Sequence, residues 1–415
     1  MKRLLALLAA AFCLLAAGCD EEIEYTPTVG DLTPRHGYRY DNARDCGAGC
    51  LYEKDGAWRY YNYGRRENVS VCSDPLCGHT KDSCFARISG NVYGYGNRLY
   101  YAATEFDYNN ELGEYSEYVI KEADIASQTK REVLRIKGCG RSDAFAYGDK
   151  LFVGLYENYI PEGGSADSER VRVYLMAVSL EMAETVLMTD CITDGFNTRL
   201  SIYGIENGKL IFSTSCYENG LDGDDAPDDE PHTQTIKHMS CDIETLEIAE
   251  YGGRIANQYL DECSVYFDGG AVCFDRGGDI SRLEIGAGLE YVPFYVEYYS
   301  GGKAYFRVEG NKGMIYRFDT DTEKMYVSSF SEIDGMELIA EREKDFAFIN
   351  GNNDIVMLSK DKQLIFTELD GERIRTVFEN YKNSRPDEGM TDEELEEFIS
   401  SILSEDRTEF TPMLY

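Results

Sequence analysis

Apolar and polar positions along the chain fall into short β-forming runs punctuated by Gly, Asn and Asp, and the pattern recurs from about residue 36 to residue 380. Lys54-Asp55-Gly56 precedes Trp58-Arg59-Tyr60-Tyr61, Tyr95-Gly96-Asn97 precedes Leu99-Tyr100-Tyr101, and Tyr147-Gly148-Asp149 precedes Leu151-Phe152-Val153. The same order returns at Glu206-Asn207-Gly208, Asp268-Gly269-Gly270, Ser300-Gly301-Gly302 and Asn350-Gly351-Asn352, each followed by an apolar strand. Gly, Asn and Asp accept the positive φ of tight hairpins, and aromatic or β-branched neighbours fill the flanking strands.

From Gly96 onward these turns recur roughly every 50 residues, with individual steps between about 30 and about 60, a spacing typical of propeller repeats. A second turn follows within several units, as at Asp319-Thr320-Asp321-Thr322 and Asp242-Ile243-Glu244-Thr245. Two hairpins make four strands, which is one propeller blade. The expected fold is all-β: a β-propeller of about seven four-stranded blades, with a short C-terminal helix. Six or eight blades also fit the degenerate repeats, and two β-sandwich domains are the alternative architecture. Contact between the N- and C-terminal strands is expected to close the ring and so remove exposed sheet edges.

The termini read differently. Lys2 and Arg3 precede the apolar run Leu4–Ala17, which is too short to span a bilayer comfortably but suits a secretory signal core. It ends in Leu15-Ala16-Ala17-Gly18-Cys19, which resembles the lipobox of bacterial lipoproteins. That resemblance implies a diacylated Cys19 as the first mature residue, and membrane contact through the lipid anchor only. The expected location is the outer face of the cytoplasmic membrane, extracellular in a Gram-positive cell and periplasmic in a Gram-negative one. The expected organisation is a signal peptide over 1–18, a lipid-anchored tether over 19–35, the propeller over 36–380, and an acidic helix and tail over 381–415. In the tail, Thr391 and Glu394 form a capping box ahead of Leu395, Phe398, Ile399, Ile402 and Leu403, which share one helical face. That face is expected to pack on the propeller. Leu221–Glu230 reads as a solvated acidic insertion, with a calcium loop as the sharper alternative, although its spacing departs from the EF-hand pattern.

Composition narrows the function classes. Lys+Arg 41 against Asp+Glu 76 gives a net charge of −35, with no basic stripe, which excludes nucleic acid as a natural partner. The same charge excludes electrostatic adhesion to anionic lipid headgroups. Tyr 32 and Gly 39 against Trp 1 and Pro 9 agree with a β-rich, turn-rich chain.

The chain has 13 cysteines. The densest segment runs from Cys72 through Cys77 and His79 to Cys84, a C-x4-C-x-H-x4-C spacing. Three thiols and an imidazole suit tetrahedral zinc, though the spacing is not that of a standard zinc finger and the single residue between Cys77 and His79 is tight. A disulfide staple among the three cysteines, or a plain loop, is the leading expectation there; a structural zinc comes second and a redox thiol third. Cys46 and Cys50 lie just upstream and are candidates to join either arrangement. Cys216 and Cys241 flank the acidic insertion and are candidates for a disulfide across its base. Cys139, Cys191, Cys263 and Cys273 read as small buried apolar residues.

The lipobox, the Gly-turn-Tyr-Tyr repeats and the Cys72–Cys84 element together resemble uncharacterised lipid-anchored β-propeller lipoproteins of bacteria, related in pattern to low-density-lipoprotein-receptor-type and Tol-B-type propeller repeats. The resemblance implies a secreted propeller and assigns no catalytic residue. No phosphate-cradling loop, G-x-S-x-G elbow or H-E-x-x-H pair occurs in the sequence. The four histidines are His36, His79, His232 and His238; nothing selects His36 or His232 for a triad, and His232 and His238 are expected to be solvated beside the acidic insertion. The function expected is a cell-surface binding or scaffold module for a protein, peptide or glycan, with no certain cofactor. The alternatives are an extracellular carbohydrate-active hydrolase or lyase and, more weakly, a metal-linked sensor. A central pocket with two free carboxylates favours the hydrolase, whereas a plugged or flat aromatic face favours the binding module.

Overall fold

A strand in the middle of a blade is covered on both faces by neighbouring blades, so it must be apolar on both faces. The strand Lys150–Tyr159 meets that demand, with Leu151, Phe152, Val153 and Leu155 all buried. An outermost strand faces water and is free to carry charge. Thr129–Lys137 does so with Lys130, Arg131 and Glu132 exposed, which blunts an edge that would otherwise template aggregation. The computed structural model describes residues 27–37, 43–107, 115–164, 169–182, 186–217, 234–287, 294–308, 311 and 313–383.

Within these residues the strands form seven consecutive antiparallel units. Blade 1 holds β1 (Ala43–Asp45), β2 (Gly49–Lys54), β3 (Ala57–Asn62) and β4 (Glu67–Ser70). Blade 2 holds β5 (Asn91–Tyr95), β6 (Arg98–Asp107), β7 (Tyr115–Asp124) and β8 (Thr129–Lys137). Blade 3 holds β9 (Gly140–Tyr147), β10 (Lys150–Tyr159), β11 (Arg170–Ser179) and β12 (Val186–Met188). Blade 4 holds β13 (Thr193–Glu206), β14 (Lys209–Tyr217), β15 (Gln234–Asp242) and β16 (Ile248–Glu250). Blade 5 holds β17 (Gln258–Tyr259), β18 (Ser264–Asp268), β19 (Ala271–Arg276) and β20 (Asp279–Glu284). Blade 6 holds β21 (Phe294–Ser300), β22 (Lys303–Val308), β23 (Met314–Asp319) and β24 (Lys324–Ser329); blade 7 holds β25 (Glu337–Glu341), β26 (Asp345–Ile349) and β27 (Ile355–Ser359). The β-propeller expected from the repeats is the fold observed.

Two details depart from a ring of identical blades. The first residues of β13 pair with β11, Val171 opposite Gly195, before the strand becomes the inner strand of blade 4, so blades 3 and 4 form one continuous sheet. Blade 7 has three strands. The chain leaving it returns to blade 6 as β28 (Thr367–Leu369) and pairs with β24, Met325 opposite Leu369. On that path it buries Leu364 and sets Phe366 against Tyr305 and Phe346.

Apolar clusters lie between blades. Blades 2 and 3 share one, blades 3 and 4 another, and blades 5 and 6 a third that also takes Val377 and Phe378. The ring closes without exchange of a strand. Blade 1 contributes Cys50, Tyr52, Tyr61 and Tyr63 to a cluster with Tyr298, Tyr305 and Ile315 of blade 6 and Leu338, Phe346 and Phe348 of blade 7. Blade 1 thus meets blade 7 through side chains, while the last strand, β28, pairs with blade 6 and not with the N-terminal strand as expected.

The termini of the fold depart from expectation in two places. Residues 1–26, Cys19 among them, lie outside the described residues, but the described part of the expected tether is packed onto the propeller. Leu32 is fully buried, its N–H donates to the Gly96 carbonyl at 2.8 Å, and Gly96 N–H donates to Thr33 Oγ1. The last expected propeller residues instead form helix α1 (Gly371–Asn383). The Asp370 carboxylate accepts the N–H groups of Glu372 and Arg373 at 3.1 and 2.9 Å and caps that helix. The helix expected from Thr391 and the acidic insertion Leu221–Glu230 lie outside the described residues.

Candidate metal centre and axial cavity

The segment between β4 and β5 carries Cys72, Cys77, His79 and Cys84, and the fold brings all four together. One ligand atom from each lies within 4.8 Å of every other, and His79 Nδ1 is 3.4 Å from Cys84 Sγ. The tight one-residue gap between Cys77 and His79 is bridged by a left-handed backbone, with His79 at φ 54°. A bulky residue in that region costs of order 1–3 kcal/mol, so neighbouring contacts must hold it there. An Asx turn helps: Leu76 N–H donates to Asp74 Oδ1 at 2.9 Å and Cys77 N–H to the Asp74 carbonyl.

Both adjacent blades grip this segment. Trp58 of β3 donates its backbone N–H to the Ala86 carbonyl at 2.9 Å and its indole N–H to the Ile88 carbonyl at 3.3 Å. Gln128, between β7 and β8, accepts the Ser73 N–H at 2.8 Å and donates to the Val71 carbonyl at 2.9 Å. Cys72 and Cys84 are buried, while Cys77 and His79 are half-buried. A backbone hydrogen bond at His79 holds the Cys77 thiol below its usual 9.0, with the nearby Cys84 thiol adding to the effect. Burial pushes Cys84 up to about 11.

The other cysteine expectations fare differently. All eleven cysteines among the described residues are free thiols. Cys46 and Cys50 stay out of the cluster: Cys46 donates to the Leu32 carbonyl and Cys50 to the Leu51 carbonyl, and burial pushes Cys46 up to about 12 and Cys50 well above its usual range. Cys216 and Cys241 do lie on the adjacent strands β14 and β15, but the register sets Cys216 opposite Thr235 and Cys241 opposite Leu210. They sit at opposite ends of the ladder, beyond the Cα separation of about 4.4–6.8 Å that a disulfide spans. Cys139, Cys263 and Cys273 are buried as expected, whereas Cys191 is exposed.

The inner strands enclose an axial cavity of about 770 Å³ lined by residues of β1, β9, β13, β17, β21 and β25. Its walls mix tyrosines, among them Tyr203, Tyr259, Tyr295 and Tyr298, with carboxylates. Tyr203 and Tyr259 stack with centroids 6.3 Å apart, and Tyr295 is 59% exposed. The strap Pro34–Gly37 enters the cavity. His36 Nδ1 lies 3.3 Å from Asp261 Oδ2, its ring meets Tyr298 edge-on, and Gly37 N–H donates to Asp261 at 2.8 Å. A side chain at position 37 would strike the Phe145 ring, so glycine is the residue that lets the strap pass.

Four carboxylates line the cavity; Glu337 is exposed, and the other three are committed to structure. Asp261 holds the strap. Asp45 accepts the Gly47 N–H at 2.9 Å and lies 3.9 Å from Arg35; burial raises it above 3.8 even so. Glu297 of β21 pairs with Arg307 at 2.6 Å and accepts the Leu338 N–H of β25 at 2.9 Å, which ties blade 6 to blade 7. Burial pushes Glu297 above 4.5 despite the Arg307 charge. His36 and Asp261 form a pair without a nucleophile, since no Ser, Thr or Cys is among the described residues lining the cavity. His238 is half-buried on β15 beside Tyr203, and His232 lies outside the described residues. Asp261 and Glu297 carry no sequence signal because the N–H groups they accept, of Gly37 and Leu338, come from a distant segment and from the next blade.

No family model matches the sequence, and no curated protein does. Solved structures do. The β-propeller domain of the Trilobed protease from Pyrococcus furiosus aligns over 81% of this chain and 94% of its own, at 10% identity and a TM-score of 0.38. The acylaminoacyl peptidase of Pyrococcus horikoshii aligns over 80% of this chain and 52% of its own, at 12% identity and a TM-score of 0.37. A dipeptidyl peptidase 4 from Porphyromonas gingivalis aligns over 80% and 46%, at 10% identity and a TM-score of 0.30. The propeller fold of this chain follows from its own strand order.

Proposed function

We propose that the chain is a lipid-anchored, extracytoplasmic binding module whose axial cavity receives a protein, peptide or glycan. The observation that carries this reading is the cavity, of a size usual for ligand sites, with tyrosines at its wall and three of its four carboxylates, Asp45, Asp261 and Glu297, engaged in holding the fold. Aromatic faces offer sugar rings or peptide side chains a stacking surface at low entropic cost. The net charge of −35 favours neutral or cationic ligands over anionic ones.

The anchor and location rest on the lipobox ending in Cys19. Replacing Cys19 by Ala should release the protein from membranes, and persistence in the membrane fraction after a carbonate wash would refute the anchor. For the cavity, neutral oligosaccharides and cationic peptides should be titrated calorimetrically into the protein. A ligand found this way should weaken about tenfold in Tyr295→Ala, the loss of roughly 1.4 kcal/mol expected for one stacking ring. Cleavage of such an oligosaccharide would instead install the hydrolase alternative.

A further inference from the structure

None of Cys72, Cys77, His79 and Cys84 lines the axial cavity, so the cluster needs an explanation apart from the binding reading. We infer that these four residues hold one zinc ion in a closed tetrahedral site that clasps blade 1 to blade 2.

The donor set and its geometry carry the inference. Zinc bonds of about 2.3 Å to sulfur and about 2.0 Å to nitrogen place tetrahedral ligands roughly 3.5–3.8 Å apart. The His79–Cys84 edge is already 3.4 Å, and no edge exceeds 4.8 Å. Soft thiolates with one imidazole select zinc over hard cations.

Lys130 of blade 2 donates to the Arg87 carbonyl at 3.2 Å, a further bond from blade 2 to the segment. Four protein ligands leave no open position for water or substrate, so the ion is structural rather than catalytic. A disulfide would use two of the three sulfurs, strand the third, and leave the left-handed His79 without a purpose.

The clasp has a built-in reporter. Trp58 is the single tryptophan of the chain, it is 3% exposed, and both its N–H groups bond to carbonyls that follow Cys84. Releasing the ion should free those carbonyls and let water reach the indole.

The test uses the full chain purified anaerobically. Elemental analysis should find about one zinc per chain, and stripping it with a chelator should red-shift Trp58 emission, reversed by adding zinc back. Cys77→Ser should lose the metal. His79→Cys supplies four thiolates and should keep it, which separates lost ligation from lost folding. Cys191→Ser, an exposed thiol outside the cluster, should keep one zinc. The inference is overturned by a zinc-free chain carrying a disulfide among Cys72, Cys77 and Cys84, by full zinc in Cys77→Ser, or by Trp58 emission that ignores stripping. All of these readouts are independent of ligand binding in the cavity.

Discussion

Two seams hold blade 1 in the ring, and they are built from different materials. Toward blade 7 the seam is an apolar, aromatic cluster in which Tyr52, Tyr305, Phe346 and Phe348 are buried, bridged at its edges by Lys54–Asp354 and Arg66–Asp345 and by an Arg342 bond to the Gly47 carbonyl. Toward blade 2 the seam runs through a long connecting segment whose own apolar residues are few: Val71, Ala86 and Ile88 join Trp58, Leu99 and Ile125 around Cys72 and Cys84. A wide aromatic interface closes a ring by burial alone, because each large side chain removes a large area from water. A polar connector has little area to bury and needs directed bonds, which the Cys72–Cys84 cluster and the Trp58 and Gln128 contacts supply. The difference teaches where each seam can be broken: the first by deleting volume, the second by deleting a ligand.

The largest effect is expected from volume. Phe348 is fully buried in the closing cluster, so Phe348→Ala should cost about 3–5 kcal/mol, read as a lowered urea midpoint. Because the closure exchanges no strand, amide exchange should quicken in blade 1 as well as in blade 7. Leu99→Ala, in the other seam, should quicken blades 1 and 2 and spare blade 7. Exchange in Phe348→Ala that changed only in blade 7 would show that the seam carries no closing energy.

Much of this comparison was written in the chain. Each of the seven turn signals falls in a different blade, which is why their number matches the blades. They do not mark the same hairpin. Asp55-Gly56, Gly269-Gly270 and Gly351-Asn352 join second and third strands, while Gly96-Asn97, Gly148-Asp149, Asn207-Gly208 and Gly301-Gly302 join first and second strands. The uneven spacing reflects both which hairpin carries the Gly and unequal blades: blade 4 begins at Thr193, blade 5 at Gln258, and blade 6 already at Phe294. The Cys72–Cys84 cluster was legible because its residues are close in sequence. What stayed hidden depends on register or distant partners. The Cys216–Cys241 pairing failed on ladder register, and Glu297–Arg307 acquires its meaning only when blade 7 arrives.

A middle-sized effect comes from acid. Glu341 of β25 lies at the seam between blades 6 and 7, 2.6 Å from Lys360 and 3.6 Å from Lys303. Burial alone would raise its carboxyl. The Lys360 and Tyr305 bonds and the two lysine charges outweigh burial and hold it below 4.5. A native value below the unfolded one means the folded state binds fewer protons. Its contribution is thus present above about pH 4.5 and is lost as pH falls through the native value. Glu297 has the opposite sign: raised by burial, its contribution is complete at low pH and lost as pH rises through its native value. Stability followed from neutral pH into acid should fall less steeply in Glu341→Gln than in the parent. An unchanged acid slope would remove Glu341 from the seam's pH response.

The smallest effect should come from the ion pairs at the edge of the closing seam. Arg66 Nη2 lies 2.9 Å from Asp345 Oδ2, but the arginine side chain is 58% exposed, so water and salt screen the pair. Asp345→Asn keeps the shape of the side chain and removes its charge. Its expected cost is below about 1 kcal/mol, fading further at high salt, because exposed pairs gain little once side-chain entropy is counted. If the aromatic cluster closes the ring, this substitution should leave amide exchange in blade 1 unchanged, while Phe348→Ala accelerates it. If Asp345→Asn instead costs more than about 2 kcal/mol at low salt and recovers at high salt, charge rather than burial holds blade 7 to blade 1. The contrast between the two seams would then have to be redrawn as one between surface charge and a buried ligand cluster.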